Sequence, residues 1–221
     1  MIFDAKVVGL PNHLELVRER LGKEDCAHET KKFERTRKAL QSKNAKLSDD
    51  IAALFKKKAD PVTHIYFERF GLLGPLQQWA CARDGTTPAK VQQENAWTSF
   101  LHTTLLGCNE SLILPMDLAV PVEVDIEDQE HTYPVCSAQR LDKEMELANK
   151  TLKIEKTFKL PNIPDFIDAR RKETKKLEKD ADLDEAFWAK FGLVVLRHLV
   201  RKSLEHKLPV VLSVRALEPV A

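Results

Sequence analysis

The spacing of hydrophobic positions changes several times along the chain between the helical and the strand period. Apolar residues recur at three- and four-residue intervals in long segments, often next to capping or stop signals. Helices are predicted over 12–21, 25–43, 48–58, 75–83, 89–106, 137–154 and 183–206. The last of these has apolar side chains on almost all sides, which predicts a helix buried in the centre of the protein.

Short strands are predicted at both ends of the chain and in its middle. The terminal candidates are 2–8 and 210–214, both rich in β-branched residues. In the middle, 112–115 is β-like, and Val120 to Ile126 alternates apolar and acidic side chains before a turn at 127–130 and a second extended piece at 132–135. The aromatic run 62–70 fits a strand or a helix equally well.

These elements predict an α+β fold. We expect a helix-rich single domain over 1–221, with a small antiparallel sheet or hairpin in the middle and short terminal strands. Residues 160–164 contain two prolines and are the best candidate for a linker. The densely charged segment 165–182 that follows is predicted to be an exposed helix or a mobile loop.

Composition places the chain among ordinary globular proteins. It is 43% hydrophobic and 31% charged, and its N-terminus has neither a basic region nor the apolar run of a secretory signal. No apolar stretch is long enough to span a membrane, so we expect a cytoplasmic protein without a membrane partner. The four cysteines, at 26, 81, 108 and 136, are scattered singly, which favours reduced thiols over disulfides or structural zinc.

Common catalytic and cofactor motifs are missing from the sequence. The chain has only 7 glycines, and it contains no glycine-rich phosphate loop, nucleophile elbow, zinc-binding helix motif or calcium loop. We therefore expect no cofactor, and the balance leans away from an enzyme. A site assembled from distant residues is still open, because catalytic geometry is spatial rather than sequential.

Charge is divided very unevenly along the chain. No lysine or arginine occurs between Lys90 and Arg140, although the whole chain has 35 of them. The 49 residues in this gap have a net charge of −8, and the other 172 sum to +9, so the overall charge of +1 conceals an acidic middle with basic flanks. Such separation can decide which partner a protein attracts.

The carboxylates of the predicted central hairpin are the main candidate site. Alternate residues of a strand share a face, so Glu123, Asp125 and Glu127 could align on one side, with Asp117 and Asp128 nearby. In one interpretation they imitate the spacing of phosphates and attract a cationic protein partner. In a second, Asp117, Glu123 and Asp125 bind Mg²⁺ or Mn²⁺ in a hydrolase or nuclease, although no lysine lies near them in sequence. In a third, the hairpin is merely solvated and its charge is offset by the lysine-rich helices.

A compact chain with few motifs and a concentrated carboxylate patch resembles, in general profile, the bacterial immunity proteins that neutralise a cognate toxin. The resemblance implies a non-catalytic inhibitor that covers the cationic cleft of a basic partner, such as a toxin or effector domain. The contacts expected on this hypothesis are Glu123, Asp125, Glu127, Asp128 and Glu130. The oligomeric state is left open.

A different alternative uses the basic helices of residues 23–58. This segment has 11 basic and 6 acidic side chains, and such a surface could neutralise nucleic-acid phosphates. Its acids are interleaved with its bases, however, and the whole chain has a pI of about 7.7, below the range typical of nucleic-acid-binding modules. Nucleic acid is therefore the less favoured partner.

Overall fold

The structure is a computed structural model, and it describes residues 3–67, 73–94, 98–106, 110–125, 132–157 and 185–213. The strands are β1 (Phe3–Val7), β2 (Thr63–Phe67), β3 (Ser111–Leu114), β4 (Val122–Val124), β5 (Tyr133–Ser137) and β6 (Val210–Ser213). The helices are α1 (Leu10–Arg20), α2 (Lys23–Lys43), α3 (Ser48–Lys56), α4 (Gly74–Arg83), α5 (Pro88–Glu94), α6 (Leu101–Leu106), α7 (Ala138–Leu152), α8 (Ile154–Thr157) and α9 (Glu185–His206), with a 3-10 turn over Ala45–Leu47.

All six strands join one mixed sheet in the order β2-β1-β6-β3-β5-β4. The β3–β5 pair is parallel, and the other neighbouring pairs are antiparallel. The two terminal strands, β1 and β6, pair with each other inside the sheet, with Ala5 opposite Leu212. The α+β class is thus confirmed, but the predicted small antiparallel sheet is wrong in size, since the middle and terminal strands form a single larger sheet.

Helices cover both faces of this sheet. One face packs against α1, α2 and α3 through a core that includes Leu112, Leu114 and Val124. The other face packs against α4, α6, α7 and α9 through a core that includes Ile113 and Leu212. Alternation along β3 sends successive side chains to opposite cores, which explains why this strand is apolar at nearly every position.

The predicted central helix is confirmed as α9. Its buried residues include Trp188, Phe191, Val195 and Leu199, all in the core that it shares with α4 and α7. The C-terminal end of α9 is capped by Lys57, whose Nζ donates to the carbonyl oxygens of His206 and Lys207 at 3.0 and 3.1 Å. A cation there also suits the negative end of the helix dipole.

The helix predicted over 89–106 is wrong, because residues 98–100 are not helical and separate α5 from α6. Asp84 accepts hydrogen bonds from the backbone N–H and hydroxyl of Ser99, at 2.6 and 2.8 Å to Oδ2. The Thr98 hydroxyl accepts the N–H of Phe100 at 3.2 Å. Short polar side chains here offer the backbone a local alternative to helical hydrogen bonds.

The predictions for 1–221 as a single domain, for the 160–164 linker and for the charged segment 165–182 remain predictions, and residues 158–184 lie outside the described part of the chain. Among the described residues, no helix has the length and apolar character needed to cross a bilayer.

Candidate acidic interface

Residues 91–139, the stretch without lysine or arginine and here called the acidic segment, reach one edge of the sheet through β4. β4 is the terminal strand in the strand order and is antiparallel to β5, with Glu123 opposite Pro134. Val122 and Val124 are buried in the core beneath α1–α3, whereas Glu123 between them is exposed. Charged side chains are common on edge strands because they discourage pairing with other chains.

Asp125, directly after β4, is also exposed. Neither Glu123 nor Asp125 has an ion-pair partner within the ranges that the structure describes. These two carboxylates are therefore available to a cation from outside. Glu127, Asp128 and Glu130, the remaining predicted contacts, lie outside the described residues.

The loop between β3 and β4 is fastened to the start of α7. Ser137, the N-cap of α7, accepts the N–H of Arg140 at 3.1 Å and donates its hydroxyl to the carbonyl oxygen of Met116 at 2.7 Å. Leu118 is fully buried in the core beneath α1–α3. The backbone that leads into β4 is thus fixed by the hydrogen bond from Ser137 and by the burial of Leu118.

Asp117, in the same loop, forms an ion pair with Arg140. The Arg140 Nε lies 2.5 Å from Asp117 Oδ1, and Nη2 lies 3.2 Å from Oδ2, so the guanidinium grips the carboxylate with two bonds. The Arg140 side chain is 39% exposed and that of Asp117 is 46% exposed. The pair is thus in contact with solvent, where an ion pair contributes little stability.

Glu110, also in the acidic segment, is paired with a cation in a different setting. Its Oε2 accepts a hydrogen bond of 2.8 Å from Lys32 of α2, and the same ammonium binds Glu29 at 2.6 Å. Lys32 is only 3% exposed and also lies 4.8 Å from the centre of the Tyr133 ring. Burial raises the pKa of Glu29, but the nearby His13 ring and the Lys32 ammonium outweigh it, so the pKa is lowered.

His102 of α6 lies buried near this loop. Its Nδ1 accepts the backbone N–H of Ser137 at 3.1 Å, so the neutral ring carries its proton on Nε2. Burial, together with the nearby charge of Arg140, lowers the pKa of His102 to about 4. The imidazole is therefore uncharged at neutral pH and adds no positive charge beneath the acidic segment.

The metal-site alternative is not supported by the geometry. Among the described residues, no group of three or more histidine, cysteine, aspartate or glutamate side chains is arranged to hold a metal ion. Asp117, Glu123 and Asp125 are all described, and Asp117 is bound to Arg140 instead. The three carboxylates are therefore not assembled as a coordination site.

The sequence pattern located the exposed acids Glu123 and Asp125, but it did not identify the particular cations that pair with the segment. Both Lys32 and Arg140 come from flanking helices. A signal for Lys32 was present, because it lies four residues before Thr36, which is on the buried stripe of α2 with Phe33 and Leu40. A pattern can show that these residues share a face, but it cannot show which carboxylate reaches them.

Comparison with known protein families assigns the chain to one of them. The model of the family described as "Putative DNA-mimic protein" matches residues 13–212, and the protein belongs to this family. No curated protein and no solved structure gives a significant match.

The family contradicts the prediction of a toxin-neutralising immunity protein, because its description refers to imitation of DNA. The general profile behind that prediction, an acidic patch on a compact chain with few motifs, is shared by proteins of different function and could not separate them. The description also gives no support to the metal-dependent hydrolase or to nucleic-acid binding by residues 23–58. The broader prediction of a protein partner is compatible with the family.

Proposed function

We propose that this protein acts as a DNA mimic, and that its acidic edge occupies the DNA-binding surface of a protein partner. The observation that carries the proposal is the exposure of Glu123 and Asp125, which have no ion-pair partner among the described residues. Both lie in a 49-residue segment without any lysine or arginine, in a member of a DNA-mimic family. Glu127, Asp128 and Glu130 continue the segment and are included in the proposed surface.

The spacing of these carboxylates supports the proposal. Residues two apart in a strand are separated by about 6.6–6.8 Å. The phosphates of one DNA strand advance by about 3.4 Å per nucleotide along the helix axis, so two steps cover a similar distance. Proteins that bind DNA place lysine and arginine side chains to match such charges, and the same side chains can bind carboxylates.

The electrostatic setting also favours a cationic partner. A surface that displays negative charges accelerates the approach of a positively charged partner. The apolar side chains of Val122 and Val124 anchor the strand, so the carboxylates are presented from a rigid element.

The test is competition with DNA. The immobilised protein is incubated with a lysate of the cells that produce it, and bound proteins are eluted either with duplex DNA or with an equal mass of uncharged dextran. We expect duplex DNA, but not dextran, to release DNA-binding proteins, which mass spectrometry would identify. Proteins that stay bound in the presence of DNA would contradict mimicry.

Matched variants make the test specific. Glu123→Lys with Asp125→Lys should strongly reduce the DNA-displaceable fraction. Glu19→Lys with Glu146→Lys changes the net charge equally at exposed positions in α1 and α7 and should leave that fraction largely intact. Equal losses in both double variants would assign binding to overall charge and would overturn the proposed surface.

A further inference from the structure

Arg140 lies at a position where a cation is unfavourable for its own helix. Ser137 is the N-cap of α7, so Arg140 is the third helical residue, in the first turn. The positive end of the helix dipole and the unpaired N–H groups there favour an acidic side chain. Helix stability therefore does not account for the arginine, and its contact with Asp117 does.

That contact has the geometry with which a DNA-binding protein holds a phosphate. The guanidinium binds both oxygens of Asp117, at 2.5 and 3.2 Å, which is the bidentate arrangement that arginine uses for carboxylates and phosphates. Arg140 is also the first basic residue after the acidic segment.

Among the described residues, Lys32 and Arg140 are the cations that pair with acids of the segment, and they differ in how easily a cation from a partner could replace them. Lys32 is 3% exposed and lies between Glu29 and Glu110, so replacement by an outside cation would require α2 to move. Arg140 and Asp117 are 39% and 46% exposed, so an incoming side chain can reach the carboxylate while Arg140 swings into water. Only a weak interaction has to be broken, because an exposed pair is screened by solvent.

We infer that Arg140 is an internal counter-cation that occupies Asp117 in the free protein and is displaced from it by an arginine of the DNA-binding partner. This inference rests on the proposed function and deepens it in two respects. It adds Asp117 to the carboxylates that the partner contacts, and it assigns to Arg140 the role of competing with the arginines of the partner, which lowers the affinity of the free protein for arginine-rich surfaces.

The experiment measures binding of a fluorescent deca-arginine peptide by anisotropy, across a series of NaCl concentrations. Arg140→Gln should bind the peptide about two- to fivefold more tightly than the natural chain, the range expected when an exposed ion pair no longer competes. Glutamine is well suited to the first turn of a helix, so α7 should be retained. The matched control is Lys143→Gln, an exposed residue of the same helix that changes the net charge equally and has no ion pair among the described residues.

A double-mutant cycle distinguishes replacement of Arg140 at Asp117 from a general effect of net charge. The gain from Arg140→Gln should disappear in an Asp117→Asn background, because the carboxylate that it frees is then absent. A gain that persists with Asp117→Asn, or one that Lys143→Gln equals, would overturn the inference. Thermal unfolding of each variant checks that the fold is unchanged.

Failure of this inference is distinguishable from failure of the proposed function. If Glu123→Lys with Asp125→Lys weakens peptide binding but the cycle shows no coupling, the acidic surface stands and the role of Arg140 falls. If the cycle shows coupling but duplex DNA releases no protein from the immobilised chain, exchange at Asp117 stands and DNA mimicry falls.

Discussion

Glu144 of α7 caps the first turn of α6 through Thr103. Its Oε2 accepts both the backbone N–H of Thr103, at 2.8 Å, and the hydroxyl, at 2.7 Å. Its Oε1 accepts the N–H of His102 at 3.0 Å. The first N–H groups of a helix have no acceptor within the helix itself, so a carboxylate from a neighbouring helix fixes where α6 begins.

Loss of the Glu144 carboxylate should therefore destabilise the protein more than loss of an exposed acid. Glu144→Ala leaves buried donors on α6 without acceptors, and each buried unsatisfied group costs about 1–3 kcal/mol. We expect the free energy of unfolding to fall by about 2–4 kcal/mol in urea denaturation. Glu146→Ala, an exposed change two residues away, is the control and should alter it by less than about 0.5 kcal/mol. Similar effects at the two positions would disprove the capping role.

His102 should make stability depend on pH in the mildly acidic range. Burial lowers its pKa from 6.5 to about 4, so the unfolded chain binds a proton more readily than the folded one between these values. The contribution of the neutral ring is fully present above about pH 6.5, and it is lost as the pH falls toward 4. The shift corresponds to about 3 kcal/mol, since one pKa unit is about 1.36 kcal/mol.

The measurement is urea unfolding at a series of pH values from 4 to 7. His102→Gln offers a neutral acceptor to the Ser137 N–H and should flatten the dependence between pH 4 and 6.5, whereas His28→Gln, at an exposed position, should leave it unchanged. An equally steep dependence in His102→Gln would show that other groups are responsible.

Much of the secondary structure could be predicted from the sequence, because periodicity and caps are local. The patterns for α2 and α7 predicted both boundaries within about two residues, and the pattern for α9 predicted its C-terminal end at 206. The break between α5 and α6 was missed because it depends on Asp84 and Glu144, which lie far from it in sequence. The central position of β1 and β6 was also beyond a local pattern, since pairing between the two ends of the chain is set by the tertiary fold.

The candidate site was predictable in part for the same reason. The gap in basic residues is a property of the sequence, and it led to the exposed acids Glu123 and Asp125. Glu110 and Asp117 are paired because the fold brings Lys32 of α2 and Arg140 of α7 next to them. At least two of the acids in the segment are thus paired internally, and local counting of charge could not show which acids these would be.

Lys32 should contribute strongly to the free energy of unfolding, because its ammonium pairs with both Glu29 and Glu110. Lys32→Met removes the cation between Glu29 and Glu110 and leaves both acids without it in a largely buried setting. Breaking a buried pair in this way costs about 3–5 kcal/mol, and we expect a loss near the lower end because Glu110 retains some contact with water. Thermal and urea unfolding would measure it.

A rescue variant identifies the cause of that loss. Adding Glu29→Gln and Glu110→Gln to Lys32→Met removes the uncompensated charges, so much of the lost stability should return. No recovery would mean that the methionine fits poorly, and that charge compensation is not the reason.

The last prediction concerns the rate at which the partner binds. Exposed carboxylates act mainly by steering the encounter, so Glu123→Lys with Asp125→Lys should reduce the association rate constant by about tenfold or more at low ionic strength. The reduction should shrink as NaCl rises, because salt shortens the reach of the charges to about 10 Å at 0.1 M. Stopped-flow measurements with a partner identified by elution with duplex DNA, at about 20 and about 300 mM NaCl, would test both the size of the reduction and its dependence on salt.

The control is the Glu19→Lys, Glu146→Lys double variant, which has the same net charge and should keep most of the natural rate. If both double variants slow association equally, the acidic edge has no special role in steering, and the whole surface of the protein acts as one diffuse charge.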